Sequence, residues 1–120
     1  PITTLDIVMG TTCPALIKID VEGFETEVLK GAKSILENPI LKAIIIELNG
    51  SGGRYGYDEG LIHTQLLSLG FQSYEYDPFG RCLKHITSQG THNTIYIRDL
   101  AFVQKRLEQA EKVIINGVVF

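Results

Sequence analysis

Basic blocks are missing from this sequence. Its 11 lysines and arginines are scattered among 14 acids, for a formal net charge of -3 at neutral pH. A mildly acidic chain without an arginine-rich or lysine-rich run has no general pull on nucleic acid or on anionic membranes. Cysteine is scarce as well. Cys13 and Cys82 stand far apart and form no CxxC pair, which argues against a disulfide framework and against a zinc site. Such usage fits a reducing compartment, and a cytoplasmic location is expected. His63, His85 and His92 lack metal-ligand spacing. No apolar run is long enough to span a bilayer. The start, Pro1-Ile2-Thr3-Thr4, lacks both an initiator Met and the basic-then-apolar order of a secretory signal. Repeats, low-complexity tracts and linkers are absent too, so 120 residues read as a single domain, 1–120.

What is present is a globular pattern: 44% hydrophobic and 21% charged residues exclude a disordered chain. Residues 15–19 (Ala-Leu-Ile-Lys-Ile) form a short apolar, β-branched run ended by Asp20. This predicts a buried strand. Phe24, Val28, Leu29, Ala32, Ile35 and Leu36 then recur at helical spacing, predicting one helix over about 23–37. Glu22, Glu25 and Glu27 crowd its start and lysines follow, as the helix dipole favours. Glu25 is expected to face solvent. Asn38-Pro39 stops the helix.

A second apolar run, Ala43-Ile44-Ile45-Ile46, ends at Glu47. Its unbroken apolar character predicts a strand covered on both faces, as in parallel sheets. A glycine-rich loop, Asn49 to Gly60, carries Arg54, Tyr55, Tyr57 and Asp58. It lacks the Gly-Lys-Ser/Thr ending of a phosphate-binding loop and reads as a flexible loop beside a cleft. A helix is predicted over about 59–69, with Gly70 as its cap.

Strands follow near 71–76 and 94–98, expected to pair antiparallel, with a short strand near 81–86 after the turn at Asp77–Gly80. Asp99 opens a last helix. The tail around Asn116-Gly117 predicts a hairpin, or equally an extended docking tail. The order is α/β, with strands 15–19 and 43–47 parallel, finishing in an antiparallel hairpin.

The stretch Leu16-Ile17-Lys18-Ile19-Asp20-Val21-Glu22-Gly23-Phe24-Glu25, followed by Val28-Leu29-Lys30-Gly31-Ala32, resembles the signature of the FkbM methyltransferase family. Thr4-Leu5-Asp6, Ile45-Ile46-Glu47-Leu48 and Asn93-Thr94-Ile95-Tyr96-Ile97-Arg98 match further segments, so the likeness runs from about Thr3 to Arg98. The resemblance implies a Rossmann-like methyltransferase sheet, of which this chain is the C-terminal half from the fourth strand onward. It implies S-adenosylmethionine as cofactor and an oxygen on a small-molecule or glycan-like acceptor as the methylated group. The family's cofactor-binding glycine-rich loop would precede Pro1. The isolated chain is therefore expected to bind the cofactor weakly or not at all.

Ligands of open α/β sheets sit at the carboxyl ends of parallel strands. Asp20 and Glu22 at the first strand end are the candidate catalytic carboxylates, as base or as orienting group for an acceptor hydroxyl. Glu47, Asn49, Arg54 and Tyr55 are the candidate acceptor contacts. No metal is expected, because the two strand-end acids lack a third carboxylate at tight spacing. Two readings from other classes stand beside the enzyme: a non-catalytic interaction module retaining half of the fold, and an α/β domain for a different nucleotide. Without its upstream neighbour, the apolar strand 15–19 becomes a sheet edge. Self-association, most simply as a homodimer, is expected through that edge or through the tail at 113–120.

Overall fold

The computed structural model describes residues 2–90 and 92–120. A short helix, α1 (Leu5–Met9), opens the chain, with the Thr4 hydroxyl accepting the amide of Ile7 as N-cap. The two apolar runs become β1 (Leu16–Ile19) and β2 (Ala43–Glu47); β1 is not the buried strand expected, since only Ile19 is buried while Leu16 and Lys18 are exposed. The two strands pair in parallel, from Leu16 opposite Ala43 to Ile19 opposite Ile46, as their composition predicts.

The crossover between them departs from expectation. The single helix predicted over 23–37 is two: α2 (Glu25–Lys30) and α3 (Lys33–Glu37). The break falls at Gly31-Ala32, where a Cβ added to Gly31 would lie 3.1 Å from Cβ of Thr4. Glycine thus lets the N-terminal segment pass over the break. The Asp6 carboxylate then caps the new helix, accepting the amides of Ser34 (2.9 Å) and Ile35 (3.1 Å).

After β2, the chain runs through a 3-10 turn at Ser51–Tyr55 into α4 (Glu59–Ser68), capped by Asp58 and followed by Gly70 at φ 90°. β3 (Gln72–Asp77) and β4 (Cys82–Ile86) form a hairpin. β5 (Asn93–Ile97) inserts between β2 and β3, antiparallel to both. The sheet order is β1-β2-β5-β3-β4. The antiparallel pairing of β3 with β5 is the one expected. α5 (Leu100–Gln109) follows, capped by Asp99. The tail is a hairpin, β6 (Ile114–Ile115) and β7 (Val118–Val119). Its turn residues, Asn116 and Gly117, both have positive φ, as a two-residue hairpin turn demands. The whole is a mixed α/β fold: a five-stranded sheet, partly parallel, with a small separate hairpin.

Alternation divides the sheet into two faces. Ile19, Ile44, Ile46 and Tyr96 point to one side, where they pack against Leu29, Ala32, Ile35 and Leu36 from the crossover and Ile62 and Leu66 from α4. Tyr96, Phe71 and Leu66 are fully buried there, each contributing roughly 1.5–3 kcal/mol by leaving water. Arg98 locks this layer, donating to the carbonyls of Asn38 (2.9 Å) and Leu36 at the end of α3 and stacking 4.2 Å above the Phe71 ring.

The opposite face carries Ala43, Tyr74, Ile95 and Ile97 beneath Val103 of α5. Its cover is incomplete, contrary to the expectation for β2. A groove of about 550 Å³ remains between Leu16, Ala43 and Ile45 of the sheet and Phe102 and Leu107 of α5. Among the described residues β2 is the only partner of β1, which therefore forms one edge of the sheet.

Candidate functional site

The carboxyl ends of β1 and β2 lie side by side, because the parallel register continues from Ile19–Ile46 to Asp20 and Glu47. The chain then reverses sharply. Glu22 takes φ 53° and Gly23 φ 107°. Such a conformation is uncommon for a residue with a Cβ, and it is held here by the surrounding packing. A Cβ on Gly23 would lie 2.8 Å from the Ser51 carbonyl oxygen and 3.0 Å from the Tyr55 ring, so only glycine fits.

The reversal is closed from within. Glu25 is 2% exposed, and its carboxylate accepts the Gly23 amide at 3.1 Å. This corrects the expectation that Glu25 faces solvent. An acid in the first turn of a helix satisfies the dipole whether it points outward or back under the turn.

That turn brings three carboxylates together. Asp20, Glu22 and Glu47 each offer an oxygen, and the three oxygens lie within 4.8 Å of one another. Glu22 is the third carboxylate whose absence underlay the expectation of no metal. The span suits an oxygen-ligated divalent cation with metal–oxygen distances of roughly 2.0–2.6 Å. Lys18 answers part of the charge, its Nζ lying 2.6 Å from Asp20 Oδ2. This hydrogen bond and the lysine's charge hold the Asp20 carboxyl below its ordinary pKa.

Beyond β2, the glycine-rich loop is tied back by a residue that sequence reasoning passed over. The Glu59 carboxylate, 7% exposed at the start of α4, accepts the amides of Gly50 and Gly52, each at 2.9 Å. Asn49 Oδ1 accepts the Ser51 amide at 3.0 Å. Across the rim the Tyr57 hydroxyl donates to Glu27 at 2.9 Å.

A cavity of about 430 Å³ opens on this rim, lined by Glu22, Glu47, Asn49, Ser51, Arg54 and His92. A neighbouring one of about 590 Å³ shares Asn49 and Gly50 and reaches Asp58, Glu59 and Gln89. Of the six residues singled out from sequence, Asp20, Glu22 and Glu47 cluster, and Asn49 and Arg54 line the same cavity as the two glutamates. Tyr55 packs instead on Phe24, ring centroids 4.3 Å apart. His92 is the lining residue with no local signal. Only the ladder, in which Leu48 donates to the His92 carbonyl at 3.0 Å, brings it to the rim.

The glycine turns do not fit the main binding motif for S-adenosylmethionine. Such a motif needs backbone amides free to approach the ligand. Here the amide of Gly23 is taken by Glu25, those of Gly50 and Gly52 by Glu59, and that of Gly53 by the Gly50 carbonyl at 3.2 Å.

A parallel strand pair with an acidic rim at its carboxyl ends, joined by an acidic exit, a glycine and a helix, belongs to a mixed α/β fold, and open α/β sheets carry their ligands at such strand ends. Residues 1–73 match the family model for the methyltransferase FkbM domain. The chain belongs to that family. The match covers β1, β2 and α4 and ends at the start of β3, short of the Arg98 that the motifs suggested. No curated protein and no solved structure matches the chain. Among the described residues, no helix is long and apolar enough to cross a membrane.

Proposed function

We propose that this chain forms the acceptor side of an S-adenosylmethionine-dependent O-methyltransferase with a Rossmann-like sheet. The acceptor would be a neutral, hydroxyl-bearing small molecule or glycan. The observation that carries the reading is the convergence of Asp20, Glu22 and Glu47 on one rim at the ends of two parallel strands. Membership of the FkbM family supports methyl transfer as the class of reaction.

The chain's own residues can bind a hydroxyl, orient it and hold its proton. Asp20 stays ionised beside Lys18, which makes it a good hydrogen-bond acceptor and a weak base. It is the orienting group. Glu22 has no ion pair among the described residues and is the proton acceptor. Asn49 and Arg54 contact the rest of the acceptor in the adjoining cavity. A rim with three carboxylates repels phosphorylated or carboxylated acceptors, which favours neutral ones.

Titration followed by backbone amide shifts tests this. Neutral sugars should perturb the amides of Glu22, Glu47 and Asn49, and Asp20→Asn with Glu22→Gln should abolish the response. Tighter binding of sugar phosphates would overturn the acceptor assignment. Calorimetry with S-adenosylmethionine should show weak binding or none, and micromolar binding would mean that the cofactor sits on these residues after all.

A second reading, a non-catalytic interaction module, draws on the same closed glycine turns. Loss of every acceptor response together with retained self-association would favour it.

A further inference from the structure

The rim does not end at the cavity beside Glu22 and Glu47. A second cavity, of about 590 Å³, begins where that one stops, because Asn49 and Gly50 line both. Each volume falls within the roughly 300–1,000 Å³ of a small-molecule site. A single hydroxyl-bearing unit held at the two glutamates has no use for the second. An acceptor of more than one unit does.

The lining of the second cavity decides its occupant. Leu48 and Tyr57 supply apolar surface, and the Tyr57 ring is fixed by its hydrogen bond to Glu27. Asn49, Asp58, Glu59 and Gln89 supply polar groups, and no Lys, Arg or His stands among the described lining residues. Asp58 already accepts the amide of Gly60, and Glu59 those of Gly50 and Gly52. A carboxylate oxygen has room for a second donor. Gln89 differs from both. Its Oε1 is shielded from water and has no hydrogen-bond partner among the described residues. An unpaired acceptor of this kind destabilises the fold. The terminal torsion of a glutamine is soft, so a turn of the amide presents it to a donor in the cavity. An apolar wall beside acceptor-rich edges, with no cation, matches a sugar ring, which has an apolar C–H face and hydroxyls at its margin. A phosphate or carboxylate there would meet Asp58 and Glu59 and be repelled.

We propose that the second cavity is a subsite for a further sugar unit. The acceptor is then a glycan of at least two units laid across Asn49, and Gln89 accepts from a hydroxyl of the distal one. This rests on the acceptor role proposed for the rim of Asp20, Glu22 and Glu47, and narrows it from hydroxyl compounds in general to oligosaccharides. Asn49 sits at the junction, its side chain held by the Ser51 amide at 3.0 Å.

Titration followed by backbone amide shifts compares single units with pairs: glucose and galactose against cellobiose and lactose. The monosaccharides should move the amides of Glu22, Glu47 and Asn49. The disaccharides should also move those of Gly53, Asp58 and Gln89. They should bind about tenfold more tightly, the equivalent of one or two net hydrogen bonds. Gln89→Leu should remove that gain and leave the monosaccharide response unchanged. It should unfold at no lower urea concentration than wild type, because the oxygen it deletes has no partner to lose. Gly53→Phe is the second variant. Its φ is not positive and an added Cβ meets nothing within 4 Å, so a larger side chain enters open space beside the cavity without backbone strain. The gain should disappear there too. Disaccharides that bind no more tightly than monosaccharides, a gain that survives either variant, or earlier unfolding of Gln89→Leu would overturn the subsite and leave the role of the rim standing. The absence of any sugar response would overturn both.

Discussion

The carboxylate of Glu25 reaches back two residues to accept the amide of Gly23 at 3.1 Å, beneath the turn that carries the candidate site. Replacing Glu25 with Ala leaves that buried amide without an acceptor. We expect a loss of about 1–3 kcal/mol, the range for an unpaired buried donor. Glu25→Gln retains a carbonyl oxygen and should lose less. Urea unfolding of the two variants measures the difference.

Gly23 itself should tolerate no side chain. Gly23→Ala combines a φ of 107° with a Cβ 2.8 Å from the Ser51 carbonyl, and strain of this kind costs about 1–3 kcal/mol. Gly53 is the control. Its φ is not positive and an added Cβ meets nothing within 4 Å. Gly53→Ala should leave the unfolding midpoint within experimental error.

Acid should weaken the junction of α1 with α3. The Asp6 carboxyl is held below its ordinary value, chiefly by the backbone amide of Ser34. A carboxyl depressed in the folded state adds stability above its unfolded pKa and loses it as the pH falls through the folded one. Asp6→Ala should therefore be less stable than wild type at neutral pH. The gap should close as the pH drops below about 4. Denaturation curves at a series of pH values follow it.

At the alkaline end, burial pushes the Tyr96 hydroxyl up to about 12, while His63 Nδ1 lies 2.8 Å from its oxygen. A raised pKa gives stability that is fully present below the unfolded value of about 10 and lost as the pH climbs through the folded one. The native chain should lose stability between these limits, and Tyr96→Phe should lack that limb. Ultraviolet difference titration of the tyrosinates should show Tyr96 ionising after the exposed tyrosines.

The parallel pair was legible because Ala43–Ile46 is an unbroken apolar run and Leu16–Ile19 a short β-branched one interrupted only by Lys18. The break between α2 and α3 was hidden for a physical reason. Leu29, Ala32, Ile35 and Leu36 stay on one buried side through the interruption, so their spacing reads as a single helix. What separates the two helices is the Asp6 carboxylate, 28 residues before Ser34, and no local pattern reports it. The rim was half legible. Strand-end position exposed Asp20 and Glu47, whereas the contribution of Glu22 depends on a backbone reversal and that of His92 on the register of β5. Glu25 and Glu59 look like ordinary helix-opening acids, and only their burial distinguishes them.

The place of β5 bears on how the chain is made. β2 takes its second neighbour from residues 93–97, and the core laid down by residues 16–71 waits for Tyr96 to fill it. During synthesis β1, the crossover and β2 emerge before β5, with the β5-facing edge of β2 open. β3 and β4 can zip into a hairpin at once, but they cannot join β2 until the strand that separates them has been synthesised. Contacts this distant in sequence slow folding, so the nascent chain spends the interval with that edge of β2 open. That edge closes only when residues 93–97 are free to pair with it.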